Sequence, residues 1–309
     1  MKTAPFEYSR PATLDEACAL LAADPDSRLI AGGQTLVPMM AMRLARPSRL
    51  IDIQRIAELA GIREDGDVIA IGAVTRQVTA ERSALVAAKL PLLAAAIPWI
   101  GHAPTRARGT VGGSIANADP AAEIPLVLAT LGGHVVVQEG GARRAVSMPD
   151  LVLGPMTTSV PATGCIVEAQ FPVWKDRRIG VGFHEVSARK SDFAYVAVAA
   201  QVALDEAGRC TRLAVGIGGA TPVPTRLGSV ETALKGETIT ADKVRAAMTE
   251  AIAGLEIMRD SHASDAYRRR VAIGLAGRAI LDAVSSASSH PAGSAQAVSD
   301  ATNKKGGRA

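Results

Sequence analysis

Two pairs of adjacent glycines constrain the fold of this chain more than any other feature of its sequence. The first pair lies in residues 31–35, which read Ala-Gly-Gly-Gln-Thr and follow the short apolar stretch Arg28-Leu29-Ile30. The second pair lies in residues 110–114, which read Thr-Val-Gly-Gly-Ser. Because glycine has no Cβ, such segments turn sharply and expose successive backbone N–H groups, and a following helix adds its positive end. Each segment therefore predicts a turn suited to a pyrophosphate.

Neither segment is specific when it is taken alone. The first is more simply an ordinary turn between a strand and a helix that is predicted to run to Leu44. Neither segment is a Walker A loop, since no Gly-Lys-Ser/Thr follows, and neither has the spacing of the Rossmann fingerprint. Two such turns in one chain indicate a long dinucleotide held across a cleft between subdomains. The candidate binding residues in them are Ala31, Gly32, Gly33, Gln34, Thr35, Thr110, Val111, Gly112, Gly113 and Ser114.

Length and composition exclude several classes of protein. A chain of 309 residues is too long for one core of ordinary size, and 48% hydrophobic residues exclude wholesale disorder. Aromatic residues make only 3%, and the net charge of +4 is not clustered, so no nucleic-acid partner is expected. The N-terminus lacks an apolar signal core, and no uninterrupted apolar stretch predicts a membrane span. We expect a cytoplasmic protein.

The pattern of helices and strands predicts an α+β chain. Thr13 and Glu16 form a capping box that starts a helix ending near Ala23. Asp119-Pro120 is interpreted as the N-cap and first position of a helix over residues 121–131. A hairpin is predicted around Gly140-Gly141. Strands are then predicted at 181–186, 194–204 and 213–217, and helices at 229–234, 240–255 and 264–284. From Ser285 the composition predicts a disordered tail.

The remaining chemistry-bearing residues have simple interpretations. The cysteines Cys18, Cys165 and Cys210 are scattered, so they form no disulfide framework and cannot hold an iron–sulfur cluster through four thiolates. No histidines have metal-ligand spacing, and His102 is interpreted as a solvated loop residue. The run Arg268-Arg269-Arg270 is interpreted as a solvated helix face.

The second glycine pair is followed by Asn117, Asp119-Pro120 and Glu123. With these residues the chain resembles the FAD-binding medium subunit of molybdenum hydroxylases, the group of xanthine dehydrogenase and aerobic carbon monoxide dehydrogenase. The resemblance extends from Pro5 to Val284. It is carried by AGGQT at 31–35, TVGGSIANADPAAEIP at 110–125, ARKSDFAYVAVAAQVALD at 188–205 and AYRRR at 266–270.

The resemblance implies a FAD-binding fold of the vanillyl-alcohol-oxidase/PCMH type. Its two FAD-binding subdomains would span residues 1–56 and 57–174, and a C-terminal sheet-and-helix domain would span 175–284, before the tail at 285–309.

The resemblance also implies site residues. It assigns the backbones of both glycine segments to the pyrophosphate of FAD, and Asn117 and Glu123 to the ribityl or ribose hydroxyls. Phe193 falls where members often place an aromatic residue, in many of them Tyr, beside the isoalloxazine, and Ser114 replaces a frequent Asn. Lys190 either neutralises flavin or phosphate charge or is an ordinary surface lysine. No His or Cys is expected near enough for flavin attachment, so FAD would bind non-covalently.

The function implied is electron transfer, without a substrate pocket on this chain. A large molybdopterin subunit would oxidise the substrate, and a small subunit with two two-iron two-sulfur clusters would pass electrons to the FAD. The external acceptor would be NAD, a quinone or another oxidant. One alternative is a self-sufficient FAD-dependent oxidoreductase of the same fold. A second is a non-enzymatic nucleotide-binding or scaffold protein.

Overall fold

The computed structural model describes residues 2–289, which form three packed units, each with its own sheet. The first unit has a parallel sheet in the strand order β1-β3-β2. The predicted capping box starts α1, because the Thr13 hydroxyl accepts from the N–H of Glu16 and the Glu16 carboxylate accepts from that of Thr13. The next helix ends at Ala41, before the predicted Leu44. The elements are β1 (Glu7–Ser9), α1 (Leu14–Ala23), β2 (Arg28–Ile30), α2 (Leu36–Ala41) and β3 (Arg49–Asp52).

The second unit is a five-stranded sheet in the order β4-β5-β10-β6-β7, covered by short helices. The predicted hairpin is confirmed, since β6 and β7 pair on either side of Gly140-Gly141. Short 3-10 turns lie at Ala57–Leu59 and Ile97–Trp99. The elements are β4 (Ile62–Asp65), β5 (Val68–Gly72), α3 (Gln77–Glu81), α4 (Ala84–Lys89), α5 (Pro91–Ala96), α6 (Ala103–Arg108), α7 (Val111–Asn117), α8 (Glu123–Leu131), β6 (His134–Glu139), β7 (Ala142–Ser147), α9 (Met148–Leu151), β8 (Val152–Gly154), β9 (Thr157–Thr158) and β10 (Cys165–Pro172).

The start predicted for the helix after the second glycine pair is wrong. The Asp119 carboxylate accepts from the N–H of Ala121 at 2.9 Å, which makes a turn rather than a cap. Ala118 ends α7 in the left-handed conformation, with φ of 50°, and α8 begins only at Glu123. A turn therefore separates α7 from α8, and Asn117 and Glu123, at its two ends, both line one cleft.

The third unit is an antiparallel sheet in the order β11-β12-β13-β14. All nine residues of β12 are buried, because α12 packs on one face of the sheet and helices of the second unit pack on the other. The elements are β11 (Ile179–Val186), β12 (Val196–Leu204), β13 (Cys210–Gly218), β14 (Thr225–Arg226), α10 (Gly228–Leu234), α11 (Ala241–Ala253) and α12 (Asp265–Ser289).

The last helix, α12, continues past the predicted end at Val284. A Cβ on Gly180 would lie 2.0 Å from the carbonyl oxygen of Ala283 and 2.3 Å from the nitrogen of Ala287, so helix backbone rests directly on β11. Ala287 is fully buried, and the Arg178 side chain donates to its carbonyl oxygen. The prediction of a disordered tail is therefore wrong for residues 285–289. Its remainder, residues 290–309, lies outside the described residues.

Among residues 2–289, α12 is also the helix long and apolar enough to cross a membrane by length and composition. Its apolar face is buried against the sheet, as in the core helix of a folded domain. The interpretation of its arginine run as a solvated face is wrong for Arg268, which is 3% exposed. The side chain of Arg269 is also held by hydrogen bonds, since it donates to the carbonyl oxygens of Ile252 and Leu255.

Candidate dinucleotide-binding site

A cleft of about 620 Å³ lies where the three units meet, and both glycine segments line it. Of the predicted site residues, Val111 is buried beneath the cleft wall, and Lys190 is exposed outside the lining. His102 is exposed and also lies outside it, as expected. The predicted residues that line the cleft are Ala31, Gly32, Gly33, Gln34, Thr35, Thr110, Gly112, Gly113, Ser114, Asn117, Glu123 and Phe193.

The first glycine segment presents unused backbone donors to the cleft. In the described part of the chain, no protein acceptor bonds the N–H groups of residues 32–35. Gly33 has φ of 70°, which turns the chain between β2 and α2 in a conformation that residues with a Cβ rarely adopt. A run of unpaired N–H groups in such a turn forms an anion-binding concavity. This arrangement suits the two phosphates of a dinucleotide.

The second glycine segment is different, because it is the first turn of α7 and not a loop. The N–H groups of Val111 and Gly112 donate to the carbonyl oxygens of Thr75 and Ala73, at 3.0 and 2.9 Å. Thr110 is the N-cap and accepts from Gly113, at its hydroxyl, and from Ser114, at its carbonyl. The expectation that this backbone also donates to a pyrophosphate is not met for these N–H groups. The Ser114 hydroxyl remains for a ligand.

The glycines are required by contacts within the protein. A Cβ on Gly32 would lie 2.5 Å from the carbonyl oxygen of Arg108, and one on Gly112 would lie 2.5 Å from the Cβ of Ala73. Such distances are far below van der Waals contact. The absence of Cβ atoms at Gly32 and Gly112 therefore allows the close packing that builds the cleft walls.

Sequence reasoning missed several polar residues of the cleft, among them Gln77 and Cys165. Gln77 is 5% exposed, and its amide oxygen has no hydrogen-bond partner among the described residues. Cys165 also lines the cleft, although no cysteine is expected near enough for flavin attachment. Burial raises the pKa of its thiol to about 12, so it stays protonated at neutral pH and is a poor nucleophile. Both residues reach the cleft through tertiary packing, and no motif marks them.

Glu123 lines the cleft and interacts electrostatically with Glu185, which lies outside the lining. Burial, reinforced by the nearby Asp119 carboxylate, raises the pKa of Glu123 to about 7. Burial and the charge of Glu123 raise the pKa of Glu185, on β11, to about 8. One oxygen of Glu185 is buried without a hydrogen-bond partner in the described residues. Near neutral pH, the pair therefore holds protons that ordinary carboxyl groups would have lost.

The third unit contributes an aromatic ring to the cleft. Phe193 is 73% exposed and lies on the loop between β11 and β12. The loop turns through Ser191, which has φ of 72°, and an ion pair of 3.8 Å joins Arg189 to Asp192. An exposed aromatic residue at a cleft mouth offers a flat face to a planar ligand.

These features together fit a flavin dinucleotide. The free N–H groups of residues 32–35 suit the phosphates, and the orphaned Gln77 oxygen suits a ribose hydroxyl or an amine. Apolar walls that include Ile30, Ile100 and Phe193 suit the planar rings. The fold and site thus define a dinucleotide-binding protein with a cleft between three units.

Comparisons with known proteins agree with this class. The sequence pattern of the FAD binding domain in molybdopterin dehydrogenase matches residues 4–174, and that of the CO dehydrogenase flavoprotein C-terminal domain matches residues 182–283. The chain therefore belongs to the family of FAD-binding subunits of molybdopterin dehydrogenases, and it is an oxidoreductase subunit with FAD as its cofactor.

Relatives share this sequence over nearly their whole length. The nicotine 6-hydroxylase medium subunit of Paenarthrobacter nicotinovorans is 37% identical over 92% of this chain and 99% of its own. The carbon monoxide dehydrogenase medium chain of Hydrogenophaga pseudoflava is 33% identical over 89% and 96% of the two chains. The solved quinoline 2-oxidoreductase from Pseudomonas putida 86 is 33% identical and covers 93% of this chain and 99% of its own, with a TM-score of 0.88.

Proposed function

We propose that this chain transfers electrons, through one non-covalently bound FAD, from an iron–sulfur partner subunit to an external acceptor. The observation that carries the proposal is the cleft between the three units, with its unpaired N–H groups at residues 32–35. FAD supplies two-electron chemistry when it is bound, and the protein holds and orients it. The chain would be one subunit of a molybdenum hydroxylase, together with a large molybdopterin subunit and a small subunit with two two-iron two-sulfur clusters.

In this proposal each unit of the chain has a separate part. Residues 31–35 hold the pyrophosphate, while Ser114, Asn117 and Glu123 meet the ribityl or ribose hydroxyls. Phe193 covers the ring system. The protonated Cys165 lines the cleft without forming a bond to the flavin. Lys190 acts as a surface residue, since it is exposed outside the cleft lining.

The described residues support the view that the metal centres lie on other subunits. Its cysteines are free and buried, and no group of three or more potential metal ligands occurs in residues 2–289. Two of the relatives described above are named medium subunit and medium chain. We infer that clusters and molybdenum belong to partner subunits, that the acceptor is NAD or a quinone, and that the complex works in the reducing cytoplasm.

The first experiment measures the flavin. The purified chain should carry one FAD, and acid precipitation should release the yellow chromophore into the supernatant. A variant Cys165→Ala should release it equally well, because the thiol makes no bond to it. FMN in the supernatant, or flavin that stays with the pellet, would contradict the assignment.

The second experiment separates the proposal from a self-sufficient oxidoreductase of the same fold. The chain is assayed alone and after co-expression with its large and small subunits, with an artificial electron acceptor. We expect substrate oxidation only in the three-subunit complex, and bleaching of the flavin when a reduced iron–sulfur subunit is added. Robust turnover by the single chain would favour the self-sufficient alternative. Absence of bound flavin would favour a scaffold role.

A further inference from the structure

A second cavity, of about 410 Å³, lies beside the flavin cleft in the described structure. Four residues line both cavities, namely Asp119, Ala121, Asp192 and Phe193. The two spaces are therefore separated by no more than the thickness of these residues. Its walls come from the α7–α8 turn, the β11–β12 loop, the loop after β13, the segment before α12 and Arg268 in the first turn of α12. Several of these residues belong to the sequence motifs at 188–205 and 266–270.

The walls of this second cavity present flat and apolar surfaces. The rings of Tyr195 and His262 are nearly parallel, with an interplanar angle of 15° and centroids 6.0 Å apart. Phe193, Met258 and Ala194 complete an apolar lining. Flat aromatic faces and a flexible methionine favour a planar, hydrophobic ligand.

One buried donor lines the second cavity without a partner. Arg268 is 3% exposed, and its terminal nitrogens donate to the carbonyl oxygens of Tyr195 and Gly219 and to the carboxylate of Asp260. Its Nε is buried and has no hydrogen-bond acceptor among the described residues. An unpaired buried donor is costly, so a carbonyl oxygen of a ligand would stabilise it.

The charges of the lining argue against a nucleotide in this cavity. Arg268 is paired with Asp260 at 2.6 Å, and Arg189 is paired with Asp192 at 3.8 Å. The remaining lining carboxylate, Asp119, is not balanced by a cation within the cavity lining. Both arginines of the lining are already paired with carboxylates, so the lining favours a neutral ligand over a pyrophosphate, which would need a free cation or free backbone donors.

We propose that this cavity binds the ring of a neutral quinone, which is the external acceptor of the electrons. The inference rests on the proposed electron-transfer function and names its acceptor. The quinone takes two electrons and two protons from the reduced flavin and leaves as the hydroquinone, while the flavin returns to its oxidised form. No other reactant is needed. Arg268 Nε–H donates to one quinone carbonyl, and the rings of Phe193 and Tyr195 hold the quinone plane.

The direct test is binding of duroquinone to the oxidised, FAD-loaded chain, measured by calorimetry. Ala188 is exposed and lines the cavity, so Ala188→Trp fills the space from the loop without touching the core. The variant Arg268→Lys keeps the charge beside Asp260 but removes the Nε donor. We expect each to weaken duroquinone binding by about tenfold or more. The matched control is Ala207→Trp, at an exposed turn outside both cavities, which should bind like the parent chain.

A kinetic readout separates this inference from the proposed function. Flavin content and flavin reduction by the iron–sulfur subunit test the function, and neither should change in Ala188→Trp. Reoxidation of the reduced flavin by duroquinone tests the inference, and its rate should saturate in the parent chain and fall about tenfold or more in Ala188→Trp. If Arg268→Lys does not fold, Ala188→Trp decides the question alone. Unchanged duroquinone binding in Ala188→Trp, or displacement of duroquinone by NAD, would overturn the quinone site even where the flavin is reduced normally.

Discussion

A Cβ atom on Gly32 would lie 2.5 Å from the carbonyl oxygen of Arg108, so the first glycine segment rests on the end of α6, immediately before the second segment. The same carbonyl accepts a hydrogen bond from the Arg76 side chain. The two glycine segments, which are far apart in sequence, are thus joined by a contact that has no room for a side chain. This contact sets the separation of the cleft walls.

The first prediction concerns this contact. In Gly32→Ala the added methyl group meets backbone, which cannot rotate away, so residues 32–35 must shift. We expect FAD affinity to fall by about tenfold or more, with a loss of stability of about 1–3 kcal/mol, as for overpacking of a core. Flavin content after purification and the midpoint of thermal unfolding measure the two effects.

The control for Gly32→Ala is Gly274→Ala. Gly274 lies within α12, and a Cβ there would meet no atom within 4 Å. Alanine is favoured over glycine inside a helix, so this variant should keep its FAD and gain about 0.5–1 kcal/mol of stability. If both variants retained stoichiometric FAD, the Gly32–Arg108 contact would not control the cleft.

The second prediction concerns Phe193, whose ring is 73% exposed and lines the flavin cleft. Truncation to Ala removes little buried area, so the unfolding midpoint should hardly move. Loss of an aromatic stacking partner of about 0.5–1.5 kcal/mol should weaken FAD binding by up to about tenfold. Titration of the flavin-free protein with FAD, followed by flavin fluorescence, measures the change.

A matched variant for Phe193→Ala is Leu153→Ala, which truncates another exposed apolar side chain, at 63% exposure and outside the cleft lining. It should leave both stability and FAD affinity as they are. Equal affinities in the two variants would mean that Phe193 does not contact the flavin.

The sequence predicted which segments converge, but not how they meet the ligand. The cleft is lined by both glycine pairs, by the hydroxyl residues that follow them and by Glu123. These motifs are short stretches of sequence, so they can be recognised without knowing how the chain packs. The sequence did not predict which backbone N–H groups are free to bind a ligand. The N–H of Gly112 is used by the carbonyl oxygen of Ala73, a partner that only the tertiary structure brings near. A glycine pair therefore predicts that another group comes close to the backbone. It does not predict whether that group belongs to a ligand or to the protein.

Long-range packing also explains the other differences. Arg268 belongs to a run that looks solvated, yet it is buried because two carbonyl oxygens and Asp260 surround its guanidinium. Cys165 lies at the start of β10, and nothing in its neighbours along the chain distinguishes a cleft cysteine from a core cysteine. The helix start predicted at Asp119 fails because the same Asx geometry serves a turn as well as a cap.

The third prediction concerns the pH dependence of stability. The pKa of Glu185 is raised to about 8 by burial and by Glu123, whereas in the unfolded chain it is about 4.3. Between these values the folded state binds more protons than the unfolded state, so stability falls as the pH rises from about 4 to about 8. Glu185→Gln should come closest to the parent at about pH 4 and unfold at a higher temperature at pH 8.5, by about 2–4 °C for each kcal/mol regained.

Glu237→Gln is the control for an exposed glutamate, since its pKa is lowered through the hydrogen bond and charge of Lys243. It should show no stabilisation at pH 8.5. If the unfolding temperatures of Glu185→Gln and the parent chain changed in parallel with pH, burial would not raise the pKa of Glu185.

The fourth prediction uses two truncations that differ by five residues. A chain ending at Val284 loses the last turn of α12, which includes the buried Ala287 and the carbonyl oxygen that accepts from Arg178. It also uncovers Gly180, whose Cα packs under that turn. The lost methyl burial and hydrogen bond together amount to about 1–2 kcal/mol, so the thermal midpoint should fall by several degrees.

A chain ending at Ser289 keeps every one of these contacts and should unfold at the same temperature as the full chain. Both truncations should bind FAD normally, because α12 lines no part of the flavin cleft. Complex assembly with the partner subunits at low and high salt then tests residues 290–309 separately. If the chain ending at Ser289 assembles poorly at low salt while keeping its FAD and its midpoint, the basic C-terminal residues contact a partner. If the chain ending at Val284 is as stable as the full chain, the packing of Ala287 against Gly180 contributes nothing, and the domain effectively ends at Val284.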